Sequence, residues 1–358
     1  MELPYKNILV TGGCGFVGSN LAVSFKLKYP KVKIVVLDNL SRRGTELNVI
    51  RFKKNDIEFI QGDIRNSEDL KLKEKIDLII ECSAEPSVLS GYGESPRHVI
   101  DNNLIGSINC FELARKDRAD IVFFSTSRVY PYEAINNLKV VEADTRFKWQ
   151  NEQDGNVKGW SEEGIDVDFS LEGSRSMYGA TKLCSEIILN EYISMYGLKG
   201  VINRCGVIAG PWQFGKVDQG VFALWMLAHF FKKPLKYIGF GGYGKQVRDL
   251  LHVDDLFDLI DLQINSMDKV NNKVFNVGGG NLVSLSLQET TQLCEKISGN
   301  KIDITQEQTT RPVDLGIYIT NNRKVRDLLS WKPKRNPEKI LQDIYEWIKE
   351  NEKQLSEL

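Results

Sequence analysis

A glycine-rich turn near the beginning of the chain constrains the fold more than any other feature. An apolar run at 8–10 leads into the motif Thr11-Gly-Gly-Cys-Gly-Phe-Val-Gly18, and a segment of helical length follows at 17–28. Glycine permits a tight turn and lets a ligand approach the backbone, while the N-terminus of a helix offers free N–H groups and positive potential. The motif therefore predicts a strand–turn–helix unit that binds the pyrophosphate of a dinucleotide.

Short apolar runs alternate with segments of helical length through the first half of the chain. Such alternation is typical of a parallel sheet covered by helices on both faces, and right-handed crossovers make that sheet doubly wound. The sequence therefore predicts an α/β fold: a Rossmann-type doubly wound parallel sheet with a smaller C-terminal α/β substrate lobe. The predicted strands are 8–10, 34–37, 57–60, 78–80 and 121–124, and the predicted helices of this half include 17–28 and 99–115.

The chain has 358 residues, which is long enough for two lobes. We expect a dinucleotide-binding domain at 1–210, to which 250–280 returns. We expect a substrate-binding lobe at 211–249 and 281–358, with helices near 221–231, 285–298 and 337–354.

Segment 132–176 differs from its surroundings because it is polar and only weakly periodic. A loop of this length in a compact domain is usually functional or disordered. Because the segment leads directly to Tyr178, we favour a loop on the substrate side.

The bulk composition excludes several classes of protein. A net charge of −1 gives no overall basic field that would attract nucleic acid or an anionic membrane. The longest apolar run, 221–231, is too short to cross a bilayer, and a strand-like run begins so early that we expect no signal peptide. Six scattered cysteines lack the spacing of metal ligands, so we expect reduced thiols, no metal and a cytoplasmic protein.

An acidic residue beyond the glycine motif favours NAD over NADP. Asp38 lies 20 residues after Gly18, where a carboxylate accepts hydrogen bonds from an adenosine ribose and repels a 2′-phosphate. Arg42 and Arg43 lie nearby and support the alternative, because they would suit a 2′-phosphate. Asp63 follows another predicted strand, and we expect it to accept a hydrogen bond from the adenine amino group; the alternative is a turn or helix cap.

Tyr178 and Lys182 form the candidate catalytic pair. On a helix, a spacing of four places both side chains on one face, about one turn apart. A nearby ammonium and the positive nicotinamide lower the pKa of a phenol from ~10, and the phenolate can then take a proton from an alcohol while hydride leaves the same carbon. The third member should be a hydroxyl at the end of a sheet strand, for which Ser125, Thr126 and Ser127 are all candidates.

These motifs resemble the extended short-chain dehydrogenases/reductases of the nucleotide-sugar epimerase and dehydratase group, over essentially the whole chain. That family places its catalytic Ser or Thr three residues before a Val-Tyr pair, here Val129-Tyr130, and this selects Thr126. The family's Asn-x-x-Gly motif matches Asn103-Leu-Ile-Gly106, whereas Pro131 stands where the family has Gly. The resemblance implies NAD as cofactor and a nucleotide-diphosphate sugar as substrate.

The resemblance also implies an assembly and a set of site residues. A homodimer or homotetramer is expected, assembled through the helices near 99–115 and 178–196. Tyr178, Lys182 and Thr126 are the implied catalytic residues. The implied cofactor residues are Gly12, Gly15, Phe16, Val17, Gly18, Asp38, Asn39, Asp63, Ile64, Ser83, Ala84, Asn103, Ser125, Tyr178 and Lys182. The implied substrate residues are Thr126, Ser127, Arg128, Arg204, Gln219, Gln246, Arg248, Arg311 and Asp314.

The two residues after Thr126 argue against dehydration. Nucleotide-sugar 4,6-dehydratases place Asp and Glu there, whereas this chain has Ser127 and Arg128. A hydroxyl and a guanidinium cannot form that acid–base pair, because arginine stays protonated. Arg248 and Arg311 match the arginines with which the family binds the diphosphate, and a guanidinium suits that task because it contacts phosphate through two N–H groups.

Further stretches resemble the branch of the group that inverts C2 of a CDP-deoxysugar through a transient 2-keto sugar. These stretches are 12–21 with 38–42, 213–220 and 244–252. One alternative is a UDP-sugar 4-epimerase or another NAD-dependent enzyme that modifies a nucleotide sugar. A remote alternative is an NAD-binding regulatory protein without catalysis. Glu85 and Cys205-Gly-Val207 depart from the family's pattern, so the identity of the sugar stays open.

Overall fold

The structure is a computed structural model that describes residues 3–215 and 219–356. Residues 216–218, which belong to the predicted motif 213–220, lie outside the described residues. The chain divides into two compact units. Unit 1 comprises the chain up to Thr126, Met177–Arg204 and Leu256–Val274, and unit 2 comprises Ser127–Ser176, Cys205–Asp255 and the chain from Phe275 onwards.

The described strands and helices are numbered in chain order. The strands are β1 Asn7–Thr11, β2 Lys33–Asp38, β3 Glu58–Gln61, β4 Leu78–Glu81, β5 Asp120–Thr126, β6 Val140–Glu142, β7 Phe147–Trp149, β8 Trp160–Ser161, β9 Gly164–Ile165, β10 Gly200–Cys205, β11 Val207–Ala209, β12 Leu235–Ile238, β13 Val247–His252, β14 Lys273–Val277, β15 Ser284–Ser286, β16 Ile304–Glu307 and β17 Ile317–Tyr318. The helices are α1 Phe16–Lys28, α2 Glu46–Lys54, α3 Arg97–Ile100, α4 Gly106–Asp117, α5 Tyr132–Asn136, α6 Met177–Tyr196, α7 Val221–Phe231, α8 Val253–Ile264, α9 Met267–Val270, α10 Leu287–Ser298, α11 Arg323–Leu329, α12 Pro337–Glu350 and α13 Glu352–Ser356.

A seven-stranded sheet has the order β14-β10-β5-β4-β1-β2-β3, and strands β1–β5 lie wholly in unit 1. The neighbours from β5 to β3 pair in parallel. Each of the five predicted apolar runs forms one of β1–β5, so the predicted doubly wound α/β fold is confirmed. The strand order reverses between β1 and β4, and open α/β sheets bind ligands at the carboxyl ends of strands at such a point.

Helices α4 and α6 pack on this sheet through large apolar side chains. The ring of Phe111 on α4 meets the ring of Phe123 on β5 edge-on, with centroids 5.7 Å apart. Leu189 on α6 is fully buried in the same core. Each such side chain contributes about 1.5–3 kcal/mol on burial, so the sheet fixes the position of α6 and of the residues at its beginning.

The predicted helix 99–115 is interrupted in the structure. It consists of α3, a π-helical turn at Asp101–Ile105 and α4. Gly106 follows that turn, and a Cβ there would lie 2.5 Å from Cδ1 of Ile64. A side chain where α4 begins would therefore force the Ile64 side chain to move.

Unit 2 is built around β13. This strand pairs in parallel with β11 and β17 and antiparallel with β15. Helices α7, α10 and α12 form a core in which Nε1 of Trp225 donates a hydrogen bond to Thr291, 3.0 Å away. Helix α10 begins two residues later than predicted, because Ser286 ends β15 and caps the helix: its Oγ accepts a hydrogen bond from the Glu289 N–H at 3.0 Å.

Segment 132–176 is more ordered than the predicted loop. It contains α5 and two antiparallel hairpins, β6–β7 and β8–β9. Ile165 is fully buried and forms a bridge with Thr320, and Arg146 forms an ion pair with Glu289. These contacts join the segment to unit 2, whereas the predicted domain boundary at 210 assigned it to the dinucleotide-binding domain. Local sequence patterns do not indicate this packing, because the partners Thr320 and Glu289 lie more than a hundred residues further along the chain.

Among the described residues, no helix combines the length and the apolar character needed to span a membrane. The predicted cytoplasmic location stays a prediction.

Asp249 should make the stability of the protein depend on pH. Its carboxyl group is fully buried on β13, and Oδ2 accepts a hydrogen bond from the Gly280 N–H at 3.0 Å. Burial raises its pKa from 3.8 to about 6. Because the folded state then binds the proton more tightly than the unfolded state, this group's contribution to the free energy of unfolding falls as pH rises from about 4 to about 6.

The substitution Asp249→Asn removes this titration while it keeps an oxygen that can accept from Gly280. We expect the variant and the natural chain to have similar free energies of unfolding in urea at pH 4. At pH 7.5 the variant should be more stable by up to about 3 kcal/mol, since each pKa unit corresponds to about 1.4 kcal/mol. The exposed Asp303→Asn is the control; a difference for Asp249→Asn that does not change with pH would contradict the assignment.

Candidate active site

The glycine turn between β1 and α1 is dictated by backbone contacts. Gly12 has a φ of +59°, and a Cβ there would lie 2.7 Å from Cα of Ser83. A Cβ on Gly18 would lie 2.6 Å from the Gly12 carbonyl oxygen, and one on Gly15 would lie 3.1 Å from the same atom. Gly13, which the predicted triplet does not include, also has no room for a side chain, because its Cβ would lie 2.5 Å from Cγ1 of Val36.

The turn leaves the first N–H groups of α1 without a side-chain cap, since Gly15 is the N-cap residue and Phe16 and Val17 begin the helix. A helix N-terminus of this kind binds a phosphate through its N–H groups and its dipole. The close backbone packing and the open helix end therefore fit a dinucleotide, as the sequence predicted.

Asp38 stabilises the same turn through a hydrogen bond. Its Oδ2 accepts a hydrogen bond from the Cys14 N–H at 3.0 Å, and its Oδ1 accepts one from the Leu40 N–H at 2.8 Å. Burial raises the pKa of this carboxyl group above its ordinary value. Asn48, which sequence reasoning missed, is fully buried and donates from Nδ2 to the Cys14 carbonyl oxygen at 2.9 Å. Asp38 is thus held beside the turn, where its predicted contact with the ribose is possible.

Asp63 and Asn39, both predicted to bind the cofactor, lie together. Nδ2 of Asn39 donates to Oδ2 of Asp63 at 3.0 Å, and Nη2 of Arg65 approaches the same oxygen to 2.5 Å. The Arg65 guanidinium holds the pKa of Asp63 well below its ordinary range. Ile64 between them is buried. Arg65 was not predicted, and the contact of Asp63 with adenine stays a prediction.

Asn103 links the segment after β4 to the beginning of α6. Its Oδ1 accepts from the Glu85 N–H at 2.7 Å, and its Nδ2 donates to the Glu85 carbonyl oxygen at 3.1 Å and to Oγ1 of Thr181 at 3.3 Å. The fully buried amide therefore positions the chain that follows Ser83 and Ala84. Its predicted contact with the cofactor stays a prediction.

Helix α6 carries the predicted catalytic pair. Tyr178 lies in its first turn and is partly exposed, whereas Lys182 is only 2% exposed. Nζ of Lys182 donates to Oε2 of Glu81 and to the Ser83 carbonyl oxygen, each at 3.3 Å, and lies 4.5 Å from the centre of the Phe123 ring. Glu81 is fully buried at the end of β4 and was missed by sequence reasoning.

The three candidate hydroxyls at the end of β5 have different surroundings. Oγ of Ser125 donates to Oε1 of Glu186, so this hydroxyl is engaged in the interior. Thr126 is the last residue of the strand and is buried, and Ser127 begins a 3-10 turn. The geometry is compatible with Thr126 as the hydroxyl that the resemblance selected.

Arg204 has a structural partner that its predicted role did not include. Its Nη2 lies 2.7 Å from Oε2 of Glu186, and its Nε lies 3.0 Å from Oε1 of the same carboxylate. Both side chains are buried, so the pair ties β10 to α6. Contact of Arg204 with the substrate stays a prediction.

Several of the predicted substrate residues meet in unit 2. Nη2 of Arg248 donates to Oδ1 of Asp314 at 2.9 Å, and Nη1 of Arg128 donates to the Val313 carbonyl oxygen at 3.1 Å. Burial lowers the pKa of Arg248 to about 10, and the positive charge of Arg128 acts in the same direction while Asp314 opposes it. The neighbouring guanidiniums of Arg248 and Arg128 form a site suited to an anion.

The remaining predicted substrate residues of unit 2 have separate places. Nε2 of Gln246 donates to the Ile238 carbonyl oxygen at 3.1 Å. Arg311 is partly exposed in the turn before Val313, and Gln219 is partly exposed shortly before α7. Their roles stay predictions.

The glycine turn and the tyrosine–lysine pair of α6 define a dinucleotide-dependent enzyme of the short-chain dehydrogenase/reductase class. The chain belongs to the NAD dependent epimerase/dehydratase family, whose model matches residues 8–278. This membership confirms the predicted NAD cofactor and the predicted epimerase class of enzyme.

Several characterised proteins are similar over nearly the whole chain. The CDP-paratose 2-epimerase of Salmonella typhi is 30% identical over 355 residues, which cover 95% of this chain and 98% of the relative. The UDP-glucuronate 4-epimerase of Thermodesulfobacterium geofontis is 26% identical and covers 96% of both chains. The structure of the UDP-glucose 4-epimerase of Thermotoga maritima with UDP-glucose is 25% identical, with a TM-score of 0.76, and the match covers 96% of this chain and 99% of that one.

The substitution Gly18→Ala should weaken NAD binding without unfolding unit 1. The new methyl group would press on the Gly12 carbonyl oxygen at 2.6 Å and displace the turn, whereas alanine itself favours a helix. We expect the dissociation constant for NAD to rise at least about tenfold, which corresponds to about 1.4 kcal/mol. Titration calorimetry measures it, and the NAD-induced rise in Tm is a second measure.

Gly316→Ala is the matched control for this test, because a Cβ there would make only an ordinary contact of 3.5 Å with Phe240. It should bind NAD as the natural chain does. Unchanged affinity in Gly18→Ala would show that the turn tolerates a side chain and does not hold the pyrophosphate.

Proposed function

We propose that the protein is a nucleotide-sugar epimerase that inverts C2 of a CDP-deoxysugar, a reaction of the CDP-paratose to CDP-tyvelose type. The observation that carries the proposal is the 30% identity to a CDP-paratose 2-epimerase over 95% of the chain. The tyrosine and lysine of the hydride-transfer class are both present, and no carboxyl pair follows Thr126.

The residues of unit 1 suit a reaction without net redox change. In its phenolate form, Tyr178 takes the proton of the sugar hydroxyl at the phenol oxygen and later returns it. The ammonium of Lys182 stabilises that phenolate, and the hydroxyl of Thr126 donates a hydrogen bond to the reacting oxygen. NAD, which the glycine turn at 12–18 and Asp38 would hold, would supply the reversible hydride chemistry that an inversion at C2 through a 2-keto sugar needs.

The charges of unit 2 support a diphosphate-bearing substrate. The side chain of Arg248 is 14% exposed, and its pKa is lowered to about 10, because partial burial and the nearby Arg128 both disfavour its positive charge. A diphosphate beside these two guanidiniums would stabilise both charges through bidentate hydrogen bonds. Asp314, which accepts from Arg248 at 2.9 Å, would then orient the guanidinium.

A 4-epimerase that acts on a UDP-sugar is the second candidate. It would use the same tyrosine, lysine and threonine, with C4 instead of C2 presented to them. The observation that favours it is the 26% identity to a UDP-glucuronate 4-epimerase over 96% of the chain.

Incubation of the enzyme with CDP-paratose and, separately, with UDP-glucose in deuterated water distinguishes the two candidates by NMR. We expect inversion at C2 of CDP-paratose. We also expect the inverted carbon to keep its protium, because hydride returns from NAD and not from solvent. Inversion of UDP-glucose at C4 alone would overturn the C2 proposal, and deuterium at the inverted carbon would overturn the hydride mechanism.

Tyr178→Phe is the matched variant for that assay, since it removes only the phenol oxygen. We expect kcat to fall by about 10²–10⁴-fold, the usual contribution of a general acid–base group, while the NAD-induced rise in Tm stays. Full epimerase activity in this variant would remove Tyr178 from the mechanism.

We further propose that the protein forms a homodimer through α4 and α6. Ile187 and Met195, eight residues apart on one side of α6, are 57% and 68% exposed, and Tyr196 is 47% exposed. Large apolar side chains grouped on a helix surface are typical of a subunit interface. A homotetramer would need a second interface, for which these helices give no indication.

The double variant Ile187→Glu with Met195→Glu should be monomeric, because each carboxylate would have to be desolvated in the interface. Light scattering coupled to size-exclusion chromatography measures the mass. Leu282→Glu is the control, since Leu282 is 94% exposed in unit 2 and should leave the dimer unchanged. A monomeric natural chain, or a dimeric double variant, would contradict the proposal.

A further inference from the structure

A carboxylate that the resemblance did not predict faces the catalytic lysine. Glu81 ends β4, and its side chain is fully buried; Lys182 is 2% exposed. Oε2 of Glu81 lies 3.3 Å from Nζ of Lys182, and Oε1 accepts a hydrogen bond from the Ser83 N–H at 3.0 Å. The two charged groups thus form one pair in the interior of unit 1, next to the turn that follows β4.

The other groups that contact Nζ of Lys182 carry no charge. Its remaining contacts are the Ser83 carbonyl oxygen at 3.3 Å and the face of the Phe123 ring at 4.5 Å. From α4, the Cys110 thiol faces both partners, and burial raises its pKa well above the ordinary value, so it stays neutral. Glu81 therefore supplies the negative charge that compensates the ammonium.

The surroundings of Glu81 act on its pKa in opposite directions. Burial raises its pKa above the ordinary value, and the charge of Lys182 and the hydrogen bond from Ser83 oppose that rise. A buried titratable group that faces a specific charge partner is typical of functional sites, although structural ion pairs show the same features. A test must therefore distinguish an effect on catalysis from an effect on packing.

We propose that Glu81 is a positioning residue that keeps the ammonium of Lys182 protonated and in place, and that acts on Tyr178 only through that lysine. The proposal rests on the catalytic assignment of Tyr178 and Lys182 and is independent of the sugar. Lysines buried without a partner become neutral near physiological pH. A neutral amine at this position would no longer stabilise the phenolate of Tyr178, one helical turn away.

The isosteric variant Glu81→Gln tests this directly, because it keeps the shape and an acceptor oxygen but loses the charge. The ionisation of Tyr178 is followed with NAD bound, by phenolate absorbance as a function of pH. The chain has 12 tyrosines, so in every background the spectrum of the matching Tyr178→Phe variant is subtracted. We expect the midpoint of Tyr178 ionisation to rise by about one to three pH units, the usual effect of one nearby charge.

A double-mutant cycle separates action through Lys182 from a direct or structural effect. In a Lys182→Met background, Glu81→Gln should leave the Tyr178 midpoint where it is. A midpoint unchanged by Glu81→Gln in the natural chain, or a shift that persists in the Lys182→Met background, would overturn the proposal. If Glu81→Gln does not fold, Glu81→Asp replaces it: a shorter carboxylate should raise the midpoint by less, and a midpoint at or below that of the natural chain would overturn the proposal.

The acid limb of the kcat profile is the second readout, and it should move to higher pH together with the Tyr178 midpoint. The titration needs no sugar, so it stands even if the proposed CDP-sugar is wrong. Conversely, activity that persists in Tyr178→Phe would refute the proposed mechanism while leaving the effect of Glu81 on the Tyr178 titration interpretable.

Discussion

The close approach of two backbones, at Gly12 after β1 and at Ser83 after β4, is the contact on which the rest of unit 1 depends. A Cβ on Gly12 would lie 2.7 Å from Cα of Ser83, so a side chain cannot be accommodated. The contact lies where the strand order of the sheet reverses. Ser83 then bonds through its N–H to Glu81 and through its carbonyl oxygen to Lys182. One short series of contacts thus connects the glycine turn with Lys182.

This connection explains why the position of Lys182 depends on the position of the turn after β4. Glycine at 12 lets β1 and β4 end side by side, and the peptide of Ser83 then faces the interior with both of its polar groups satisfied. Buried backbone groups left without partners would each cost about 1–3 kcal/mol. Any shift of the turn after β4 would therefore disturb Lys182 as well as the dinucleotide site.

The fold of unit 1 could be predicted from local patterns, whereas much of its site could not. Apolar runs of four or so residues and a glycine motif are local signals, and they located β1–β5 and α1 correctly. Glu81 and Lys182 are 101 residues apart, and a single glutamate at the end of an apolar run gives no sign of its partner. Gly13 was missed for a similar reason, because the side chain that excludes a Cβ there belongs to Val36 on the next strand.

Segment 132–176 shows the same limit in unit 2. Its polar composition suggested a loop, yet its few apolar residues find partners far along the chain, as Ile165 does with Thr320. Short hairpins of two or three residues per strand leave too weak a period in the sequence to be recognised. The polar composition therefore indicated that the segment is exposed on average, but it could not indicate which residues of unit 2 the segment contacts.

The face of α6 that meets the sheet carries the tyrosine–lysine motif and two buried ion pairs, and the motif does not include the partners of these pairs. Tyr178, Lys182 and Glu186 follow one another at intervals of four, so one face carries a phenol, a cation and an anion. Lys182 has its counter-charge on β4, and Glu186 has its own on β10, in Arg204. Opposite charges in this order fix the rotation and the direction of the helix, because a turn of the helix about its axis would leave buried charges unpaired, at a cost of about 3–5 kcal/mol for each broken pair. The two ion pairs thereby determine where Tyr178 points. The motif gives the spacing of Tyr178 and Lys182 along the helix, but it does not give Glu81 and Arg204, which hold the helix in this rotation.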